Sequence, residues 1–193
     1  MDKYDASNDH YCYPDSGVLR NLLNIRDEEV LSEAERDITS LRIDDVYFTP
    51  PPYNLGYLQR LHATLFTDLF GWAGQIRTVD IAKGGTRFCH CNRIIPETDK
   101  LFSKLAGEQW LAGLSRAEIC PKLAEYYCEF NMIHPFREGN GRVQRLFFEH
   151  LSLSAGYALD WSAIAPDEWV QANIDGVIVN YEPMQRLFLR IVN

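Results

Sequence analysis

An all-α fold with one β-hairpin is the class that this sequence predicts. Apolar residues recur with the period of an amphipathic helix through most of the chain. A single segment alternates apolar and polar residues around a Gly-Gly pair, which is typical of a hairpin. The length of 193 residues and the hydrophobic share of 46% suit a domain with a buried core. We therefore expect one domain over 1–193, with an N-terminal helical element at 1–48 and a core at 56–193.

The helices can be placed from the apolar spacing, in chain order. The first is expected over 27–41, with an apolar side formed by Val30, Leu31, Ala34 and Ile38. The proline-rich stretch TPPPYN ends that pattern, and a second helix is expected between Gly56 and Trp72. Five further helices are expected at 97–112, 116–133, 140–155, 166–175 and 181–192.

The segment 76–91 is the expected hairpin. Val79 and Ile81 alternate with polar residues, and Lys83-Gly84-Gly85-Thr86 supplies the turn. Arg87 to Cys91 would be the return strand. Because a lone hairpin is weakly stable in water, we expect it to cap the core or to present an edge to a partner. A plain connector is the alternative.

The tripeptide Cys89-His90-Cys91 resembles part of a zinc site. Ligands at i and i+2, with no second Cys or His pair elsewhere, make a poor tetrahedral centre. We therefore expect a half-buried strand here and no metal held by these cysteines. The five cysteines of the chain, an odd number, do not indicate a disulfide framework.

Charge and hydropathy exclude several classes of protein. The net charge of −8 gives no global footprint for nucleic-acid binding. No run of 18 apolar residues exists, so no transmembrane helix is expected. The N-terminal residues lack the apolar core of a signal peptide. The expected location is the cytoplasm, and secretion by a route that leaves no readable signal is the alternative.

One stretch, NMIHPFREGNGRVQRL from Asn131 to Leu146, carries an unusual density of chemically active side chains. It follows an apolar helix that stops at Pro135, which is expected to push His134 toward an extended conformation. Phe136 offers an apolar anchor that returns the loop to the core. His134 is a natural general base near neutral pH.

The helix after this stretch has two faces. Its buried stripe consists of Val143, Leu146, Phe147 and Leu151. Arg142 and Arg145 fall on the opposite side, one turn apart. Gly139 and Gly141 let an anion approach the unsatisfied N–H groups of the helix N-terminus, and Asn140 adds a neutral donor. The pattern predicts an anion cradle for more than one phosphate group.

Glu138 lies beside this cradle, where like charges repel. It fits if a divalent cation lies between the carboxylate and the phosphates, as Mg²⁺ commonly does. Taken singly, each feature has an ordinary explanation, such as a structural His134 or a surface pair of Arg145 with Glu149. Together they favour a site at which a hydroxyl attacks a nucleotide phosphate.

The segment from His134 to Arg142, followed by Arg145, resembles the signature of the Fic (filamentation induced by cAMP) family. It matches the pattern H-P-F-x-[D/E]-G-N-G-R-x-x-R at every specified position. The resemblance extends to the hairpin, to the N-terminal YPDSGVLRNLLNI and to the helices around the motif, most closely in short stand-alone bacterial members. It implies a Fic-like helical core with a β-hairpin flap. It also implies transfer of AMP from ATP to a protein hydroxyl, with release of pyrophosphate.

The resemblance implies a role for each matching residue. His134 would deprotonate the target hydroxyl, Glu138 would hold Mg²⁺, and Phe136 would anchor the loop. The ATP phosphates would be bound by Gly139, Asn140, Gly141, Arg142 and Arg145.

The resemblance also implies roles outside the motif. The hairpin from Arg77 to Phe88 would clamp the target by strand addition. Its flap residues would be Arg77, Val79, Asp80, Ile81 and Lys83. The motif does not fix the adenine pocket, for which we expect Trp169, Gln171 and Asn173.

Many Fic proteins carry an inhibitory helix with a Ser or Thr four positions before a Glu, which pairs with the second motif arginine. No Glu of this sequence has Ser or Thr at that spacing, so Arg145 has no obvious in-chain partner of that kind. The resemblance then implies a toxin silenced by a separate small helical antitoxin that supplies the glutamate. It also implies subunits of DNA gyrase or topoisomerase IV as possible targets.

Three alternatives remain. A Fic-fold enzyme could transfer a different phosphate-linked group, although the complete cradle favours ATP. A catalytically silent helical binding module should have lost His134, Glu138 or Asn140, and none is lost. A helix-turn-helix DNA binder is disfavoured by the net charge and by the acidic first helix.

Overall fold

The structure, a computed structural model, describes residues 9–193, so residues 1–8 of the expected N-terminal element lie outside the described part. Within it there are seven α-helices and one short hairpin, which confirms the predicted fold class. The helices are α1 (Glu28–Arg42), α2 (Leu55–Phe66), α3 (Ile94–Gly107), α4 (Arg116–Ile133), α5 (Asn140–Ser154), α6 (Pro166–Val177) and α7 (Glu182–Ile191). The strands are β1 (Ala82–Lys83) and β2 (Thr86–Arg87). None of the described helices is long and apolar enough to cross a membrane.

Helix α4 is the centre of the molecule and packs against α3, α5, α6 and α7. Its N-terminus is held by a reciprocal cap, in which the Ser115 backbone N–H donates to Glu118 Oε2 at 2.9 Å. The core around it is rich in edge-to-face aromatic pairs, including Phe130 with Phe147 at 5.2 Å between ring centroids. Because α5 packs beside α4, the loop that joins them is supported on both sides by the core.

The buried face of α1 differs from the expected apolar side. Val30 is half exposed, whereas Leu31, Glu35 and Thr39 are the buried residues. The side chain of Asp27 accepts from two N–H groups of the first turn and fixes the start of the helix. Two polar residues on a buried face need partners, and both contact Arg142 in the first turn of α5.

Two expected helices have different bounds. Helix α2 ends at Phe66 rather than near Trp72, because Leu69 and Phe70 turn back and donate their N–H groups to the Phe66 carbonyl. Helix α3 starts at Ile94 and ends at Gly107, not over 97–112. A separate 3₁₀ turn with positive φ angles follows at Gln109–Leu111.

The hairpin is real but shorter than expected. Ala82 pairs with Arg87 and Lys83 with Thr86, and Gly84 and Gly85 at the turn both have positive φ, as a tight two-residue turn requires. The expected strand over Cys89–Cys91 is wrong. The Cys89 N–H donates to the Met132 carbonyl of α4 at 2.9 Å, and Cys91 starts a 3₁₀ turn. The return arm is therefore tied to α4 instead of extending the sheet.

Candidate active site

His134 occupies the end of α4 in the left-handed conformation, with φ 46° and ψ 66°. The extended conformation expected before Pro135 is therefore wrong. The left-handed residue ends the helix and turns the chain into the loop. Its imidazole consequently lies at the junction of α4, the loop and the hairpin.

The His134 ring is buried and held in one orientation. Its Nδ1 donates to the Asn131 carbonyl at 2.6 Å, which makes Nε2 the acceptor nitrogen of the neutral ring. Phe88 of the hairpin stacks on the ring with centroids 3.8 Å apart. Burial lowers the pKa of His134 to about 3, and the positive charges of Arg77 and Lys83 act in the same direction. The imidazole is therefore neutral at physiological pH and able to accept a proton.

Arg77 fastens the hairpin to this loop. Its buried guanidinium donates to the carbonyls of His134 at 2.8 Å, Val79 at 2.7 Å and Ile133 at 3.2 Å. The Arg77 N–H also donates to the Pro135 carbonyl at 2.9 Å. Every one of these partners is a backbone oxygen, so Arg77 holds the loop between α4 and α5, and its side chain does not face a target.

Two more expected flap side chains also face inward. Val79 is 9% exposed and Ile81 is 3% exposed. The period of two predicted an alternation, but it could not tell which face of a short hairpin the core would cover. Only Asp80 and Lys83 of the expected flap set reach solvent.

The loop is closed by Asn140. Its Oδ1 accepts from the Phe136 N–H and its Nδ2 donates to the Phe136 carbonyl, both at 2.8 Å. These two bonds use the Asn140 carbonyl and one of its two amide N–H groups, so the second N–H is the donor that the expected contact with a ligand would need. Phe136 is fully buried in the core.

His62 is a supporting residue that the sequence reasoning missed. Its Nε2 donates to the Glu138 carbonyl at 3.0 Å, and its Nδ1 accepts from the Gly74 N–H at 2.9 Å. It also stacks on Phe136, with centroids 4.1 Å apart. Burial lowers the pKa of His62 to about 4, so the neutral ring can serve as donor and acceptor at once. A histidine on the buried face of α2, otherwise apolar, was the available signal.

The two glycines at the start of α5 face different surroundings. Gly139 has φ +78°, and a Cβ there would lie 2.3 Å from the Phe66 ring. At Gly141, a Cβ would meet no atom of the described chain within 4 Å. Open space therefore lies beside the first turn of α5, whose backbone N–H groups and dipole favour an anion.

Glu138 lies at the wall of a cleft of about 800 Å³ between α1 and the loop. Its Oε1 accepts from the Gly139 N–H at 2.9 Å. Burial raises the pKa of Glu138, and the negative charge of Glu35 raises it further. A half-buried carboxylate at a cleft wall, with a second carboxylate nearby, is a donor set that suits a hard divalent cation such as Mg²⁺.

The two motif arginines also differ. Arg142 forms an ion pair with Glu35, donates to Thr39 Oγ1 at 3.2 Å and lies 4.8 Å above the Phe66 ring. These contacts explain the two polar residues on the buried face of α1. Arg145 forms no ion pair with any residue of 9–193. Glu149, the surface partner considered for it, instead accepts from Trp161 Nε1 at 2.6 Å.

The expected adenine residues do not form one group. Trp169 is half-buried and packs edge-on against Tyr127, with centroids 4.8 Å apart. Asn173 uses its amide to donate to the Trp169 carbonyl of its own helix at 2.7 Å. Gln171 is exposed and lies about 200° from Trp169 around α6. Gln171 and Trp169 therefore leave α6 in different directions.

The sequence pattern of the Fic/DOC family matches residues 52–152. The chain is 41% identical to the Escherichia coli (strain K12) protein named "Probable protein adenylyltransferase Fic", over 100% of this chain and 96% of that one. A VirB-translocated Bep effector Fic domain from Bartonella quintana with bound ADP superposes with TM-score 0.87 at 32% identity, covering 95% of this chain and 94% of that one. BepC from Bartonella tribocorum with bound AMPPNP gives TM-score 0.86 at 30% identity, covering 95% and 96%.

The matched segment contains α2, the hairpin, α3, α4 and nearly all of α5, together with the whole loop from His134 to Gly139. The chain belongs to the Fic/DOC family, and it groups with that family's protein adenylyltransferases.

Proposed function

We propose that this protein transfers AMP from ATP to a hydroxyl side chain of a target protein and releases pyrophosphate. The observation that carries this proposal is the neutral His134 with Nε2 as acceptor, at one end of a loop whose other end opens the N-terminus of α5. A proton acceptor and an anion site joined by the five loop residues 135–139 suit attack of a hydroxyl on a phosphate.

In this mechanism His134 Nε2 accepts the proton of the target hydroxyl. The hydroxyl oxygen bonds to the α-phosphorus, and the bond from that phosphorus to the oxygen of the β-phosphate breaks. The N–H groups of the first turn of α5, beside Gly139 and Gly141, bind the phosphate oxygens. Glu138 would hold Mg²⁺, which when bound neutralises phosphate charge.

Arg142 and Arg145 bind the outer phosphates in this proposal. Arg145 forms no ion pair within 9–193, so no ion pair has to break when it binds a phosphate. Arg142 is positioned by Glu35 and Thr39, and a guanidinium with five N–H donors can contact a phosphate while it keeps these contacts.

The target is held at the hairpin by backbone pairing. Because Arg77, Val79 and Ile81 are buried, side-chain recognition falls to Asp80, Lys83 and the strand edge. Phe88 covers one face of the His134 ring, so the target hydroxyl must approach the ring beside Phe88.

We further propose that the protein is a toxin, acting in the cytoplasm, and that a separate small helical antitoxin inhibits it. The support is that Arg145 forms no ion pair with any residue of 9–193, which leaves its guanidinium able to pair with a glutamate of a partner. Subunits of DNA gyrase and topoisomerase IV are the proposed targets, by family analogy alone.

The test is transfer of α-labelled ATP with Mg²⁺ into purified gyrase and topoisomerase IV subunits and into lysate protein. We expect labelled bands with the wild type and none with His134→Ala. Label from γ-labelled ATP would show a kinase-like reaction instead, and label only from other nucleotide donors would show a different transferred group. No transfer from any donor, with a folded protein, would leave the binding module as the function.

A further inference from the structure

A second cluster of metal-binding side chains lies outside the candidate active site, at the base of the hairpin. Asp80 precedes β1, whereas His90 and Cys91 follow β2. One ligand atom from each of the three lies within 4.8 Å of the other two. From the sequence alone, the candidate ligands were Cys89, His90 and Cys91. In the structure the third ligand beside His90 and Cys91 is the Asp80 carboxylate from the opposite arm of the hairpin, and Cys89 is not part of the cluster.

The three groups are already brought together by hydrogen bonds. His90 Nε2 is 3.0 Å from Asp80 Oδ2, and Asp80 Oδ1 accepts from the Cys91 N–H at 2.7 Å. His90 and Cys91 are adjacent, at the start of a 3₁₀ turn. The positions of the ligands are therefore largely set before a cation arrives, which reduces the ordering cost of binding.

The side-chain chemistry selects the kind of metal. One thiol, one imidazole and one carboxylate suit Zn²⁺, whereas Mg²⁺ and Ca²⁺ prefer oxygen ligands alone. A tetrahedral Zn²⁺ with bonds of about 2.0–2.3 Å separates its ligands by about 3.3–3.8 Å. Small rotations of half-exposed side chains bring the three atoms from their present spacing to this one. Asp80 and His90 are 50% and 56% exposed, so a cation can enter from solvent.

We propose that Asp80, His90 and Cys91 form a Zn²⁺ site, with water as the fourth ligand. The Cys91 thiol gives up its proton, and the ion replaces the proton now shared between His90 and Asp80. Coordination by His90 Nε2 moves the ring proton to Nδ1, at the expense of the 3.3 Å contact from the Asn92 N–H. This site is separate from the Mg²⁺ position at Glu138.

The ion would cross-link the two arms of the hairpin. It joins the chain before β1 to the chain after β2, so the whole turn and Phe88 lie between its ligands. Phe88 stacks on His134, and the return arm is bonded to α4 through Cys89. Bound Zn²⁺ therefore stabilises the hairpin in the position that covers His134.

The test is titration of the full, chelator-treated chain with Zn²⁺ alone by calorimetry, followed by the absorption spectrum with Co²⁺. We expect one ion per chain and a thiolate-to-cobalt charge-transfer band. Asp80→Asn, His90→Asn and Cys91→Ser should each weaken Zn²⁺ binding by about tenfold or more, and Cys91→Ser should remove the band. Asn at 80 keeps an oxygen for the Cys91 N–H, and Asn at 90 keeps a cap for the 3₁₀ turn.

The neighbouring thiol supplies the matched control, because Cys89→Ser should leave both affinity and spectrum unchanged. Hydrogen exchange adds a second measurement, in which Zn²⁺ should protect the backbone of 81–89 in the wild type but not in Cys91→Ser. Absence of one-to-one binding, or binding that survives Asp80→Asn and Cys91→Ser but not Cys89→Ser, would overturn the site. The measurements need neither ATP nor a target, so their outcome is independent of the AMP-transfer proposal.

Discussion

The first turns of α5 present two sides with opposite character. On the packed side, Gly139 contacts Phe66 and Arg142 pairs with Glu35. On the open side, Gly141 has no atom of the described chain near its Cβ position, and Arg145 has no ion pair within 9–193. The same motif thus supplies one glycine and one arginine to contacts with α1 and α2, whereas the second glycine borders open space and the second arginine forms no ion pair within 9–193.

This difference separates support from binding. The packed side keeps the loop in place through buried contacts, whose loss lowers stability as well as activity. The open side offers groups whose contribution begins only when an anion binds. Substitutions on the two sides should therefore have different effects on stability and on catalysis.

The largest expected effect contrasts the two glycines. Gly141→Ala should lower AMP transfer by about 100-fold or more, because its Cβ occupies the space where phosphate approaches the N–H groups. The melting temperature of the Gly141→Ala variant should stay at the wild-type value. Gly139→Ala should also destabilise the fold, by about 1–3 kcal/mol, through the clash with Phe66 and the positive φ. Nucleotide titration and thermal melting check both variants, and equal melting shifts would remove the distinction between the sides.

The two arginines give the next effect. Arg145→Ala should reduce nucleotide affinity and transfer by about ten- to a hundredfold with unchanged stability. Arg142→Ala should leave the buried Glu35 without its partner and cost about 2 kcal/mol of unfolding free energy.

Urea unfolding and nucleotide binding measure these losses, and Glu35→Gln serves as the matched control for Arg142→Ala. That control keeps the shape of the side chain and removes its charge, so it should cost less than Arg142→Ala. A stability loss in Arg145→Ala as large as that in Arg142→Ala would show that Arg145 also belongs to the scaffold.

The candidate site in the loop between α4 and α5 could be proposed from the sequence because its residues are contiguous. His134, Glu138 and the two glycines lie within one short segment, and their chemistry is visible without the fold. Glu35 and His62 could not be assigned in this way, because their partners are about 76 or more positions away. A polar residue on an otherwise buried face was the only sign of either contact.

Two further differences have separate origins. A period of two identified the hairpin, but the covering core decided that Arg77 would be interior and Asp80 exterior. Helical spacing already separates Trp169 from Gln171, so that expectation was avoidable. The local sequence pattern predicts where helices and strands lie and which side of each is apolar. Which residue packs against that side depends on the tertiary structure.

His62 tests whether the packed side controls the geometry of the loop. His62→Phe keeps the stacking on Phe136 but removes the bonds to the Glu138 carbonyl and the Gly74 N–H. We expect kcat to fall by about tenfold, because the carbonyl next to Gly139 is no longer fixed. The KM for ATP should change less.

His62→Gln, which retains a donor, should recover part of the loss in kcat. If His62→Phe and His62→Gln behave alike, the bond to the Glu138 carbonyl does not position the loop.

The smallest effect concerns Asp9, which holds Arg137 of the loop at 2.9 Å. Burial would raise the pKa of Asp9, but the hydrogen bond and charge of Arg137 outweigh it and lower that pKa. A carboxyl group with a lowered pKa stabilises the fold above its unfolded pKa of about 3.9, and this contribution is lost as the pH falls through the folded value. Asp9→Asn should cost about 1.5 kcal/mol at pH near 7. The variant should differ little from the wild type at a pH low enough to protonate the Asp9 carboxyl. Urea unfolding at about pH 7 and about pH 2 measures the two differences. An equal loss at both pH values would show that the contact stabilises the packed side by shape rather than by charge.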